Sequence, residues 1–247
     1  MPVRRIAHAP LRELRARTGR TASLAVLWGT EVAYIDRWHG SLQGQHVVDG
    51  GIGLGTRMPV HCSAAGKALL ARLPAAEQQA LITELRLTRR TPKTITAKTA
   101  LRAELERIVA QGGVAIEDEE LSACRRAIAI AVMDPEGRPV AAVELAAPAQ
   151  AYTGNALPAE LRQKVIATAQ RIASALQRRS WCRRHTTDAG DLEIRGGHLG
   201  GIRAARRGIE RPRAEHPCSA RALCVIGSSP MHVGVPADMS PARGPRP

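Results

Sequence analysis

The residue types that could do chemistry in this chain gather in a few short runs. His61-Cys62-Ser63 sets an imidazole, a thiol and a hydroxyl side by side. Adjacent residues do not normally face one another, and neither a G-x-S-x-G elbow nor a defined third partner accompanies them, so nucleophilic catalysis is not expected. His61 is read instead as a structural residue that hydrogen-bonds its own turn. Glu117-Asp118-Glu119-Glu120 carries enough carboxylate for a hard cation, but four consecutive acids cannot all converge, and a solvated turn is the expectation. Ser63 is a good helix N-cap, and Ala64, Ala65 and Gly66 leave the first turn bare. Its unpaired N–H groups could receive a carboxylate or phosphate, or the small residues could simply let the helix lie close on a sheet. Further along, alternation puts Glu144 and Ala146 on one face of a strand, and Ala127 and Ala129 on one face of its neighbour. Phosphate-loop and dinucleotide fingerprints are missing. Cys182/His185 and Cys218/Cys224 fit no zinc spacing. No catalytic residue, metal or cofactor is expected.

The elements that must position these residues follow from periodicity. Residues 9–18 read as a helix ended by Gly19, and Thr21–Trp28 and Glu31–Trp38 as a hairpin turning at Gly29-Thr30. The glycine-rich crossover 40–57 is expected to hold an edge strand near 45–48 and could serve as a flap. The helix opened by Ser63 is followed by Ala75–Leu85, with Leu81, Ile82 and Leu85 inward. Thr99–Gln111 carries Leu101, Leu105, Ile108 and Val109 at helical spacing, and Gly112-Gly113 stops it. Val114–Ile116, Ala127–Met133 and Pro139–Ala146 read as strands, the last two joined by an Asp134-Pro-Glu-Gly turn. Pro158 opens a helix with the stripe Leu161, Val165, Ala169, Ile172 and Leu176. Helices covering an antiparallel sheet make an α+β domain.

Composition narrows the function. The chain has 247 residues, 44% hydrophobic, with no Phe and 2% aromatic content. Its core must therefore be built from Ala, Val, Ile and Leu, and aromatic platforms for single-stranded nucleic acid are not expected. The charge of +14 is diffuse: residues 1–179 hold 25 Lys+Arg against 16 Asp+Glu, and the remaining 68 hold 11 against 6. Five cysteines without C-x-x-C spacing, and no secretory or membrane-spanning run, point to a soluble cytoplasmic protein. From about Ser180 the periodicity disappears, Lys is absent, and Arg, Gly, Pro and His accumulate. Such a tail is what an out-of-frame reading of GC-rich DNA would produce, and it is expected to be disordered.

Met58-Pro-x-His61-x-Ser63-Ala-x-Gly66-Lys67-Ala-x-Leu70-Ala71 resembles the signature that opens the effector-binding domain of IclR-family transcriptional regulators. Thr18-Gly19-x-Thr21-x-x-Leu24-Ala25-Val26-Leu27, Val32–Arg37 and Thr91–Thr96 resemble further segments of that family in the same order, so the resemblance covers roughly residues 8 to 178. It implies a GAF-like antiparallel sheet flanked by helices, with residues 1–20 the remnant of a linker helix, 21–178 the effector domain and 179–247 a tail. It implies an allosteric small-molecule sensor that self-associates and reaches DNA only through a winged helix-turn-helix, which residues 1–20 are too short to hold; either the start is misassigned or the gene is truncated at both ends. The implied pocket has Ala64 and Ala65 as backbone donors, Glu117 as a polar wall, and Arg125 and Ala127 on the strand entry. Glu144 and Ala146 come from the last strand. Arg126 matches the family's usual Arg, or equally makes a salt bridge with the acidic turn.

The departures from the family pattern bear on the ligand. Cys124 stands where the family usually has Gly, Arg125 replaces an apolar residue, and Glu144 and Ala146 replace small polar ones. A guanidinium suits a small, possibly aromatic, organic acid; Glu144 would repel it unless paired with an Arg. Two other readings are a small GAF-fold enzyme using His61, Cys62 or Glu117, and a standalone module that sequesters intact regulators as mixed dimers.

Overall fold

In the computed structural model the described residues are 2–42, 45–46, 51–151 and 159–187, with the backbone alone at 42, 45–46, 151 and 180–187. The chain runs α1 (Pro2–Thr18), β1 (Thr21–Trp28), β2 (Glu31–Trp38), β3 (Ser41–Leu42), β4 (Gln45–His46), β5 (Arg57–Pro59), a 3-10 turn (Val60–Cys62) and α2 (Ala64–Leu70). It continues through α3 (Ala75–Glu84), α4 (Lys98–Ala110), β6 (Val114–Asp118), β7 (Arg125–Met133), β8 (Pro139–Pro148), a second 3-10 turn (Ala149–Ala151) and α5 (Ala159–Thr187). Six of these strands form one antiparallel sheet in the order β5-β2-β1-β8-β7-β6. The expected α+β class and the first hairpin stand as read; β2 alternates in burial, while β1 is buried on both faces over its first six residues.

Side-chain size divides the two faces of the sheet. Ala127, Ala129, Ala131, Ala142 and Ala146 look toward α2, where Ala64, Ala65 and Ala68 meet them in one core shared with α3 and α4. Leu24, Ile128, Val132, Val143 and Leu145 look the other way, onto Leu11 and Leu14 of α1 and Val165 and Ile172 of α5. Small residues on both partners let α2 lie close to the strands. Gly66 serves a different approach, to the 3-10 turn leading into the helix, where a Cβ would come within 2.3 Å of the Val60 carbonyl oxygen. Ser63 caps the helix as expected, its Oγ accepting from the Gly66 N–H at 3.2 Å.

Several expectations shift. Helix α1 begins at Pro2 instead of residue 9 and carries Pro10 inside it. Its Val3, Ala7, Leu11 and Leu14 are buried in the second core. The sheet edge beside β2 is β5; Gln45-His46 pairs with Ser41-Leu42 in a separate two-stranded ribbon. The rest of the expected 45–48 strand and much of the expected flap lie outside the described residues, as does Pro158. Val109 is 47% exposed, because the buried stripe of α4 is Leu101, Leu105 and Ile108. Helix α5 runs nine residues past 178, since no Gly or Pro interrupts it before Gly190. Residues 188–247, with most of the expected tail, lie outside the described residues.

Candidate ligand site at the start of helix α2

Strand register brings the charged residues together under α2. Glu117 on β6 is opposite Ala127 on β7, which is opposite Ala146 on β8. One row further along β8, Glu144 lies opposite Ala129; one row the other way on β7 is Arg125. The Ala127–Ala146 row thus lies between Arg125 and Glu144, which are four residues apart in register, roughly 13 Å along the strands. Two methyl groups leave the space over which the Arg125 side chain reaches. Its Nη2 donates to Glu144 Oε1 at 2.7 Å, and its Nη1 donates to Glu117 Oε2. All three side chains are at least 95% buried.

The Glu144 carboxylate is held from three directions. Oε1 accepts from Arg125 and from the Tyr34 hydroxyl at 3.0 Å, which also lies 3.2 Å from Oε2. Oε2 accepts from the Ala65 N–H, in the first turn of α2, at 3.2 Å. A guanidinium, a phenol and a helix-start amide converging on one carboxylate are the donors an anion site needs. Here the anion is the chain's own. Glu117 is fixed differently: its Oε1 accepts from the amides of Glu120 (2.9 Å) and Leu121 (3.2 Å). Burial pushes its carboxyl up to about 7, against the pull of Arg125 and the Leu121 amide. Burial, and then the neighbouring Glu144, raise Tyr34 well above its ordinary value.

A second buried ion cluster adjoins the first. Lys67, 1% exposed on α2, donates to Glu120 at 2.5 Å and to Glu104 of α4 at 3.3 Å. Glu104 also pairs with Arg107. Burial raises the Glu120 carboxyl despite Lys67. The acidic run is therefore no plain solvated turn. Glu117 and Glu120 turn inward, while Asp118 and Glu119 pair with Lys93 at the surface. Among the described residues no group of three or more His, Cys, Asp or Glu side chains could hold a metal ion.

Of the residues expected to line a pocket, Ala64, Ala65, Glu117, Arg125, Ala127, Glu144 and Ala146 are gathered and buried under α2. Arg126 is not with them. Alternation turns it to the opposite face, where its Nε donates to Asp118, the salt bridge with the acidic turn that the sequence also allowed. The expected like-charge conflict of Glu144 is answered by Arg125. Tyr34 and Lys67 were not singled out from sequence, though each left a sign. Tyr34 is one of two tyrosines, on an alternating strand, and Lys67 is the lone charge in a helix with no polar face. His61 is buried, with Nε2 3.2 Å from the Thr88 carbonyl oxygen, and burial lowers its pKa. Burial pushes the Cys62 thiol up to about 12, which removes thiolate chemistry at neutral pH.

The order and pairing of these elements define the class of domain: an α+β fold with a six-stranded antiparallel sheet between helices. Residues 1–174 match the family described as "Bacterial transcriptional regulator IclR C-terminal", and the chain belongs to that family. It is 35% identical over 150 residues to the probable transcriptional regulator SauR of Cupriavidus necator, covering 61% of this chain and 58% of that protein. The crystal structure of the Thermotoga maritima IclR superposes with a TM-score of 0.66 at 30% identity, covering 71% of this chain and 69% of that one. An IclR homolog from Microbacterium hydrocarbonoxydans, complexed with 4-hydroxybenzoate, superposes at 0.61 with 26% identity, covering 71% and 68%. The family and SauR are both described as transcriptional regulators. Among the described residues no helix is long and apolar enough to cross a membrane.

Proposed function

We propose that residues 2–187 are the effector-sensing part of a transcriptional regulator, taking a small organic acid at the start of α2. The observation that carries this reading is the convergence of the Ala65 N–H, the Tyr34 hydroxyl and Arg125 on one carboxylate. An acid placed there would touch α2, β2, β7 and β8 together, so its arrival could bias how these elements sit. The Microbacterium homolog's 4-hydroxybenzoate supports an aromatic acid as the first compound to try. Transmission then runs through self-association: a ligand that binds one arrangement of the subunits better shifts the DNA affinity of a full-length regulator. Titrating the chain with 4-hydroxybenzoate and short aliphatic acids in a calorimeter tests the first step. Saturable heat that is lost in Arg125→Ala, provided that variant stays folded, supports it; no heat with any acid removes it. Sedimentation of the same samples tests self-association, a single monomeric species being the contrary result.

A further inference from the structure

We propose that Glu144 is a built-in carboxylate ligand that occupies the anion cradle when no effector is bound, so that an incoming acid must take its place. This rests on the acid-binding reading above and adds to it the identity of the competitor. The partners of the two glutamates differ in kind. Glu117 is anchored within its own turn by the amides of Glu120 and Leu121, and holds the Nη1 side of Arg125. Glu144 has none of these local ties. Its described partners, Tyr34, Ala65 and Arg125, come from β2, α2 and β7. Those three groups would serve a free carboxylate equally well, and Glu117 would keep Arg125 in its present pose after Glu144 had left.

The charge balance agrees. With Glu144 in place, Arg125 faces two carboxylates. A third, from an acid, would have no partner of its own among side chains already withdrawn from water. Exchange keeps Arg125 facing two carboxylates, and it requires the displaced Glu144 side chain to swing out to water, since it cannot stay buried without a partner. Rotation of the Glu144 side chain away from Ala65 and Tyr34 is then the local event that couples binding to the α2–β8 contact.

Removing that carboxylate should create a site of defined shape. Glu144→Ala deletes the two carbons and two oxygens that acetate possesses, so acetate fits the vacated cradle, and acetamide matches its size without its charge. The full chain, as wild type and as Glu144→Ala, would be titrated with acetate and acetamide while its thermal midpoint is followed, and with 4-hydroxybenzoate in a calorimeter. The expected result is a lower midpoint for Glu144→Ala that acetate raises saturably, acetamide raises far less, and neither compound raises in the wild type. The variant should also hold 4-hydroxybenzoate at least about tenfold more tightly than the wild type, as release from one charge-assisted competitor implies. No selective acetate effect in a folded Glu144→Ala overturns the proposal. If that variant folds only in acetate, the cradle is confirmed. If it folds in neither compound, the volume-conserving Glu144→Gln decides, and affinity for 4-hydroxybenzoate no higher than wild type overturns the proposal. Acetate rescue without binding of any larger acid would leave the cradle standing and remove the organic-acid function. Equal 4-hydroxybenzoate binding by wild type and variant, without acetate rescue, would do the reverse.

Discussion

The two faces of the central sheet are stabilised by different physics. On the α1/α5 side, large aliphatic side chains interdigitate, and the buried charge there, Asp36, is met at the margin by His8 at 2.8 Å. On the α2 side the strands carry alanines, and the space they leave holds Glu117, Arg125 and Glu144, with Lys67 and Glu120 beside them. An aliphatic layer gains from area removed from water and is indifferent to pH. An ionic layer gains little net stability, because desolvation offsets attraction, yet it is sensitive to every partner it loses. A face of that second kind suits a sensor, since its contacts can be exchanged for those of a ligand.

The difference can be broken most sharply at Arg125. Arg125→Ala leaves two buried carboxylates facing one another and should cost about 3–5 kcal/mol in denaturant unfolding, whereas neutralising Glu117, Arg125 and Glu144 together with apolar or amide residues of similar volume should cost much less. A single-variant cost below about 1 kcal/mol would show the ionic layer to be solvated. On the other face, Ile172→Ala should cost about 2–4 kcal/mol through cavity formation, with the same loss at pH 5 and pH 8.

The pH response separates the layers further. Glu117, pushed up to about 7 by burial, binds its proton more tightly folded than unfolded. Its contribution to stability is therefore complete below the ordinary value of 4.5 and is lost as pH rises through about 7. Glu117→Gln should flatten that part of the profile; an unchanged profile would assign the slope to other groups. The smallest effect belongs to Cys124, whose φ of +64° is in the left-handed region. Cys124→Gly should raise stability by up to about 1 kcal/mol, the relieved strain being partly offset by chain entropy, and a lower unfolding midpoint would contradict it.

Local chemistry made much of the fold legible. β2 follows from alternation, β1 from a short run buried on both faces, the Ser63 cap from residue type, and the α5 stripe from 3.6-residue spacing. The left-handed backbone at Cys124 is one that glycine adopts most readily. What could not be read was pairing across distance. Whether Glu144 meets Arg125 depends on a register two rows deep, and whether Lys67 is buried depends on α4 and the acidic turn closing over it. Glu117-Asp118-Glu119-Glu120 looks uniform as a sequence, yet the first and last acids turn inward and the middle two outward, because β6 ends inside the run. Helix ends shifted where no strong punctuator stood, as at the start of α1 and the end of α5.

The most direct test follows the backbone amide of Ala65 by two-dimensional NMR while the chain is titrated with 4-hydroxybenzoate. Saturable movement of that amide, together with those of Tyr34 and Glu144, is the predicted result. Saturable shifts confined to residues away from the start of α2, with Ala65 unmoved, would contradict the assignment of the site.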